Sequence, residues 1–255
     1  MEKTRLILMD GVDPALNMAY DEAVVLLKDK LKLPTTLRFY RWKPSAITIG
    51  YFQSLFEEVD VKACDARSIK YIRRLTGGGA VYHDYNGEVT YSLIIDKNHE
   101  LISQDVLESY DRICNSLIFG LKKFGLDASY RPVNDIIVGN RKISGNAQTR
   151  KGSQILQHGT ILCDVDPKLM FTLLKVPNEK LKDKIIKRVE DSVTSIKKET
   201  GELPDHKKII EALAEGFARN FSLELTPGSF TEEEESLAKQ LAEKRYGNPD
   251  WNERR

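Results

Sequence analysis

The chain is short of the residues that hold small secreted proteins together. Its three cysteines, Cys64, Cys114 and Cys163, are odd in number and far apart. That excludes a disulfide framework and points to reduced thiols in a cytoplasm. Four scattered histidines and no CxxC pair leave no pattern for structural zinc. Neither charge sign is in excess, since 39 Lys and Arg face 38 Asp and Glu; no bulk field favours nucleic acid or a membrane surface. No apolar run approaches the roughly 20 residues of a membrane span. Met1-Glu2-Lys3-Thr4 lacks the charged-then-apolar pattern of a secretion signal. Familiar catalytic signatures are also missing, among them a GxSxG elbow, a GxGxxG fingerprint and a glycine run closed by Gly-Lys-Ser/Thr.

What remains is 255 residues, 41% hydrophobic and 30% charged, the profile of one soluble domain with room for a small appendage. The stretch that stands out is Arg73-Arg74-Leu75-Thr76-Gly77-Gly78-Gly79-Ala80-Val81-Tyr82-His83-Asp84. Ile69 to Arg74 reads as a strand. Three consecutive glycines then remove every Cβ from a short loop, so that backbone N–H groups can approach a bound group. Amides beside a guanidinium suit a phosphate or a carboxylate. A tight turn is the plain alternative for the glycines alone.

In chain order, Arg5 to Met9 reads as a strand and Asp13-Pro14 as a helix start. That helix runs to about Lys28, with Leu16, Ala19, Ala23, Leu26 and Leu27 on one face. Asn17, Tyr20, Asp21 and Glu22 are expected mostly on its solvated side. Thr36 to Trp42 and Ala46 to Tyr51 read as paired strands around Lys43-Pro44-Ser45, and Glu88 to Ile95 as another strand. A helix from about Gln104 to Phe124 buries Leu107, Tyr110, Cys114, Leu117, Leu121 and Phe124. Asp135 to Val138 and Arg141 to Ser144 flank a type II′ turn at Gly139-Asn140, and Ile155 to Leu162 forms a further strand. Helices are expected at 167–174, 178–187, 205–219 and 231–245, with a short strand near Ser222 to Leu225. Hairpins without βαβ alternation predict an α+β domain on a mixed, largely antiparallel sheet packed with helices. The domain spans 1–255, with a helical C-terminal appendage from about 167.

Two further positions draw attention. Lys142 follows the hairpin turn, with Asn134-Asp135 one strand back. Such a cation with an Asn/Asp pair could hold an acyl carboxylate and a nucleotide phosphate, the acid recruiting Mg2+. Mid-strand lysines are more often solvated edge residues. His158 reads equally well as a hydrogen-bonded, partly buried histidine or as a functional one.

Arg73 to Asp84, Asn134-Asp135, Arg141-Lys142-Ile143-Ser144-Gly145-Asn146-Ala147-Gln148 and His158-Gly159-Thr160 resemble, in order and spacing, the lipoate–protein ligase A family. Asn17-Met18-Ala19-Tyr20-Asp21-Glu22, Leu37-Arg38-Phe39-Tyr40 and Ile49-Gly50-Tyr51-Phe52-Gln53 extend the resemblance to nearly the whole chain. It implies a catalytic domain like those of class II aminoacyl-tRNA synthetases and biotin ligases. It also implies a cytoplasmic, ATP-dependent enzyme that forms lipoyl-AMP from lipoate and passes the lipoyl group to a lysine of an acceptor lipoyl domain. That acceptor would be a glycine-cleavage H protein or a 2-oxoacid dehydrogenase domain. By the same resemblance Arg74, Gly77, Gly78, Gly79, Ala80, Val81, Tyr82, Asn134, Asp135 and Lys142 bind ATP and the adenylate, and Asp135 meets Mg2+. Lys142, His83, Gly145 and His158 bind lipoate, and Lys142 is catalytic. The chain is similar to the short archaeal-type ligases, whose accessory C-terminal domain is a separate protein, and such a partner is expected. Transferases of this superfamily carry an acyl group on a cysteine just before the hairpin or after the His-Gly strand. Tyr130 to Asp135 and Lys175 to Asn178 contain none. The ligase is therefore expected, with octanoyl or lipoyl transfer from octanoyl carrier protein, or a non-catalytic lipoyl-domain binding module, as the alternatives.

Overall fold

The computed structural model describes residues 2–175 and 182–255. Its elements are β1 (Glu2–Val12), α1 (Pro14–Leu31), β2 (Thr36–Trp42), β3 (Ala46–Ile49), α2 (Leu55–Glu58), α3 (Val61–Asp65), β4 (Lys70–Arg73), β5 (Val81–His83) and β6 (Glu88–Asp96). They continue through α4 (Val106–Lys122), β7 (Ala128–Arg131), β8 (Asp135–Val138), β9 (Arg141–Lys151), β10 (Gln154–Leu162), α5 (Pro167–Leu173), α6 (Lys182–Ser192), α7 (Ile196–Thr200) and α8 (His206–Asn220). The chain ends with β11 (Leu223–Pro227), α9 (Glu232–Leu241), a π-helical turn (Ala242–Tyr246) and α10 (Pro249–Asn252). The helix expected at 178–187 begins outside the described residues.

An eight-stranded sheet runs β11-β1-β2-β6-β10-β9-β8-β7, and a three-stranded one runs β4-β3-β5. β1 is parallel to β2 and β11, β3 is parallel to β4, and the remaining pairings are antiparallel. The fold is a mixed α+β domain. The strands expected to pair around Lys43-Pro44-Ser45 do not pair. β2 lies between β1 and β6, and β3 between β4 and β5. Both are so fully buried that alternation alone could not assign their partners.

Side chains sort to two faces. Leu37, Phe39, Val89, Tyr91 and Leu93 join α4 and α8 in the larger core. Tyr40 and Trp42 join Met18, Ala19 and Ala23 of α1 in a second core. α4 and α8 cross closely: a Cβ on Gly120 would stand 2.8 Å from the Ala212 oxygen, and one on Gly216 would overlap the Ser116 oxygen. Cys114 is a core residue, as expected, whereas Leu107 in the first turn of α4 is exposed.

α1 starts where expected, with Asp13 as cap and Pro14 in the first turn. Its polar residues are not solvated, however: Asn17, Tyr20, Asp21 and Glu22 are all buried. The sheet covers α1 on one side and α9 with the π-helical turn on the other. A carboxylate enclosed in this way needs a partner. Asp21 accepts from Arg38 at 2.6 Å and from Ser92 at 2.7 Å. Glu22 accepts from Lys151 at 3.0 Å, from Tyr246 at 2.9 Å and from Arg245. Among the described residues no helix is long and apolar enough to cross a membrane.

Candidate active site

Between the two sheets lies a cavity of about 150 Å3, lined from α1, β2, β3, the glycine loop, β5, β6, β9 and β10. Of the residues singled out in the sequence, Arg74, Gly78, Gly79, Ala80, Val81, His83, Asn134, Lys142, Gly145 and His158 line it. Gly77, Tyr82 and Asp135 do not. The Tyr82 hydroxyl turns to Asp84 at 3.2 Å, and Asp135 stands behind Lys142.

Arg74 organises the loop. Its Nη2 donates to the carbonyls of Gly77 at 2.6 Å and Gly79 at 2.8 Å. Nη1 donates to the carbonyl and hydroxyl of Thr48, each at 3.2 Å, and Nε to Thr76 Oγ1 at 3.1 Å. A guanidinium has five N–H donors, and here all face protein oxygens. The side chain expected to hold a phosphate holds its own loop instead. Burial lowers its pKa to about 10, which leaves it charged at neutral pH. Only Gly78 of the three glycines has a left-handed φ, +93°. The loop also rests against Gly50, where a Cβ would overlap the Gly78 oxygen. In the sequence Gly50 was read only within the strand Ala46 to Tyr51, without this role.

Two histidines back the loop. Thr48 and Thr76 each accept from Arg74, so each has its own hydroxyl proton left to donate. Thr76 Oγ1 lies 2.7 Å from His158 Nε2, and Thr48 Oγ1 2.9 Å from His83 Nε2. The carboxylates of Glu88 and Asp21, which face the two Nδ1 atoms, favour the tautomer with the proton on Nδ1 and Nε2 as acceptor. His83 Nδ1 then donates to Glu88 at 2.6 Å. His158 Nδ1 faces Asp21 at 3.5 Å, too long for a full hydrogen bond. Burial outweighs the attraction of Asp21 and lowers the His158 pKa, so the ring is neutral. Trp42 stacks on His83 with centroids 4.1 Å apart and donates to Thr90 at 2.7 Å.

At the other wall, Lys142 extends its ammonium across Gly145. A Cβ there would stand 2.8 Å from Nζ. Nζ pairs with Asp135 Oδ1 at 2.6 Å, and Arg131 pairs with Asp135 Oδ2 at 2.8 Å. Both carboxylate oxygens therefore face cations, and among the described residues no group of three or more His, Cys, Asp or Glu side chains could hold a metal. Asn134 and Asn146 lock β8 to β9: the Asn146 amide and Nδ2 both donate to the Asn134 carbonyl at 3.0 Å. Tyr91 fixes Asn146 Oδ1 at 2.7 Å. β9 runs on to Lys151, well past the expected end at Ser144, because Gly145 to Lys151 pair with β10.

Trp42, Thr48 and Thr90 were not foreseen as cavity residues. The signal for Thr48 was a single hydroxyl in the otherwise apolar strand Ala46–Ile49.

A glycine loop bound to a buried arginine thus stands opposite a cavity lysine on a mixed sheet. Residues 13–218 match the lipoyl protein ligase A/B catalytic domain, and the chain belongs to that family. It is 36% identical to octanoyltransferase LipM of Brevibacillus brevis over the full length of both chains. To the enzyme of that name from Kyrpidia tusciae it is 37% identical, again over the full length of both. Among solved structures it is similar to a bi-partite lipoate protein ligase from Thermoplasma acidophilum, with TM-score 0.88 and 31% identity over 99% of this chain and 96% of the other.

The sequence relatives correct the functional expectation. They are named for octanoyl transfer, and this overturns the reading of an ATP-dependent lipoate ligase that forms lipoyl-AMP. ATP and Mg2+ fall as cofactors with it. Ligation must consume a nucleotide to activate an acid, whereas transfer moves an acyl group that is already activated.

Proposed function

We propose that this chain is an acyltransferase that moves an octanoyl or lipoyl group from the thioester of a carrier protein to a lysine of an acceptor lipoyl domain. The observation that carries the reading is its end-to-end likeness, at 36% and 37% identity, to two octanoyltransferases. The site is compatible with it. Trp42, Met18, Ala80, Val81 and Ala147 give the cavity apolar surface for an alkyl chain, and the Lys142 ammonium at its wall supports a role as counter-charge to an acyl oxygen. The acceptor is of the glycine-cleavage H protein or 2-oxoacid dehydrogenase kind. An accessory domain that aids adenylate formation has no part in thioester transfer.

The test is the mass of a lipoyl-domain acceptor incubated with this chain and octanoyl carrier protein without ATP. An octanoyl increment is expected. An increment that appears only with ATP and a free acid would overturn the reading.

A further inference from the structure

We propose that Arg73 is a positioning residue of the site and that the last helix, α10, is its clamp. Together they hold the turn 50–53, on which the glycine loop rests. The kinetic part of the inference rests on the transfer reading above. It gives a role to α10, which lies outside the residues 13–218 matched to the family.

Arg73 and Arg74 are neighbours in sequence and differ in task. Arg74 lines the cavity and Arg73 does not. The Arg73 side chain is wholly buried, and its guanidinium faces five backbone carbonyls. Three belong to the turn: Nη1 donates to Gly50 at 3.2 Å, Tyr51 at 3.1 Å and Gln53 at 2.5 Å. Two belong to α10: Nε donates to the Trp251 carbonyl at 3.0 Å and Nη2 to that of Asn252 at 2.9 Å.

α10 binds the Arg73 backbone as well. β4 is an edge strand of the small sheet, and its unpaired polar groups need partners. Asn252 Oδ1 accepts from the Arg73 N–H at 2.8 Å, and Trp251 Nε1 donates to the Arg73 carbonyl at 2.8 Å. Asn252 Nδ2 donates to the Tyr246 carbonyl at 2.8 Å, and the Tyr246 hydroxyl donates to Glu22 of α1 at 2.9 Å. The clamp is thereby anchored in the body of the domain.

The turn carries this anchorage to the loop. The Tyr51 N–H donates to the Thr76 carbonyl at 2.8 Å. Gly50 lies so close to Gly78 that a Cβ would overlap the Gly78 oxygen. Among the described residues no carboxylate pairs with Arg73. Burial, and after it the charges of Arg254 and Arg255, lowers its pKa. A buried guanidinium without a counter-ion depends on having its donors met. One side chain therefore ties the place of the turn to the place of α10. Arg74 fixes the loop from within, and Arg73 fixes what lies beneath it.

Amide exchange and steady-state kinetics on the full chain test this. Asn252→Ala removes the acceptor of the Arg73 N–H and touches nothing in the cavity. Exchange of residues 76–80 should accelerate about tenfold, while that of residues 113–121 in α4 stays unchanged. With octanoyl-N-acetylcysteamine, a donor that needs no carrier docking, the donor KM should rise about tenfold and the acceptor KM should stay within about twofold. A variant that is only less folded loses rate at every donor concentration and keeps its donor KM. Arg73→Lys keeps the charge but places its donors on one nitrogen, too few to face both turn and helix, and the same pattern is expected of it. Unchanged exchange at 76–80 in both variants overturns the clamp. So does acceleration that extends equally through α4, which is a general loss of stability. Faster exchange at 76–80 with an unchanged donor KM overturns Arg73 as a positioning residue. If wild type transfers no octanoyl group at all, the transfer reading falls, and the exchange result alone decides the clamp.

Discussion

His83 and His158 reach Arg74 in the same way: each ring accepts from a threonine hydroxyl that itself accepts from the guanidinium. The glycine loop is thus fixed from beneath by side chains of β3, β5 and β10 as well as by its own turn.

Thr76→Val tests the His158 arm. Valine keeps the shape but leaves Arg74 Nε and His158 Nε2 without a partner in a dry site. An orphaned buried polar group costs about 1–3 kcal/mol. Chemical denaturation should show a loss in that range, and amide exchange of residues 76–80 should accelerate. Thr76→Ser, which keeps the hydroxyl, should restore most of both.

Asp21 and Arg38 form a buried ion pair at 2.6 Å, with side chains 2% and 0% exposed. Burial alone would raise the Asp21 pKa, but Arg38, His158 and Ser92 together hold it below its ordinary value. A carboxylate depressed in the folded state contributes stability that is full above its unfolded pKa of about 4 and is lost as pH falls through the lower folded value. Asp21→Asn leaves a buried guanidinium uncompensated, and breaking such a pair costs about 3–5 kcal/mol. The gap between wild type and variant in unfolding free energy should therefore be constant near neutrality and close below about pH 4. A gap that does not change with acid would show that Asp21 is not the charged partner.

The glycines separate by position. Gly50 supports the loop from just past the end of β3, where a Cβ would overlap the Gly78 oxygen, whereas a Cβ on Gly77 or Gly79 meets nothing within 4 Å. Gly50→Ala should displace the loop, lower the melting temperature and abolish activity. Gly77→Ala and Gly79→Ala should change stability by less than about 1 kcal/mol. Thermal unfolding of the three variants checks the order.

This contrast also shows what could be read in the sequence. Gly77-Gly78-Gly79 announces a loop because adjacent glycines are a local signal. Gly50 reveals its role only when β3 is placed against the loop, a contact between distant segments. Lys142, Asn134 and His158, which line the cavity, could be singled out because they stand in short motifs whose spacing is local. Asp21 and Glu22 were misread as solvated because helical periodicity takes a polar position for a wet one. Their partners Arg38, Lys151 and Arg245 lie on β2, β9 and the π-helical turn, which no pattern within α1 could supply. The functional expectation failed for a different reason. Ligation and transfer share this scaffold, and the absence of cysteine from Tyr130 to Asp135 and from Lys175 to Asn178 weighed against transfer.

Lys142 and Gly145 provide the last prediction. The ammonium is half-exposed and keeps its place through Asp135 and the open space over Gly145. Lys142→Ala removes the charge beside the acyl oxygen but leaves Asp135 paired with Arg131, so the fold should survive with a stability change of about 1 kcal/mol or less. Removing one preorganised donor to a developing oxyanion typically lowers kcat about 100- to 1,000-fold, and a loss of that size in octanoyl transfer is expected. Gly145→Ala leaves Lys142 in the chain but puts a methyl group 2.8 Å from Nζ. The flexible end of the lysine will move, so this variant should stay folded and lose much of its kcat while the acceptor KM changes little. If Lys142→Ala instead raises the KM for the acceptor and leaves kcat intact, the ammonium serves to dock the partner, and the charge on the acyl oxygen must be met by backbone N–H groups of the glycine loop.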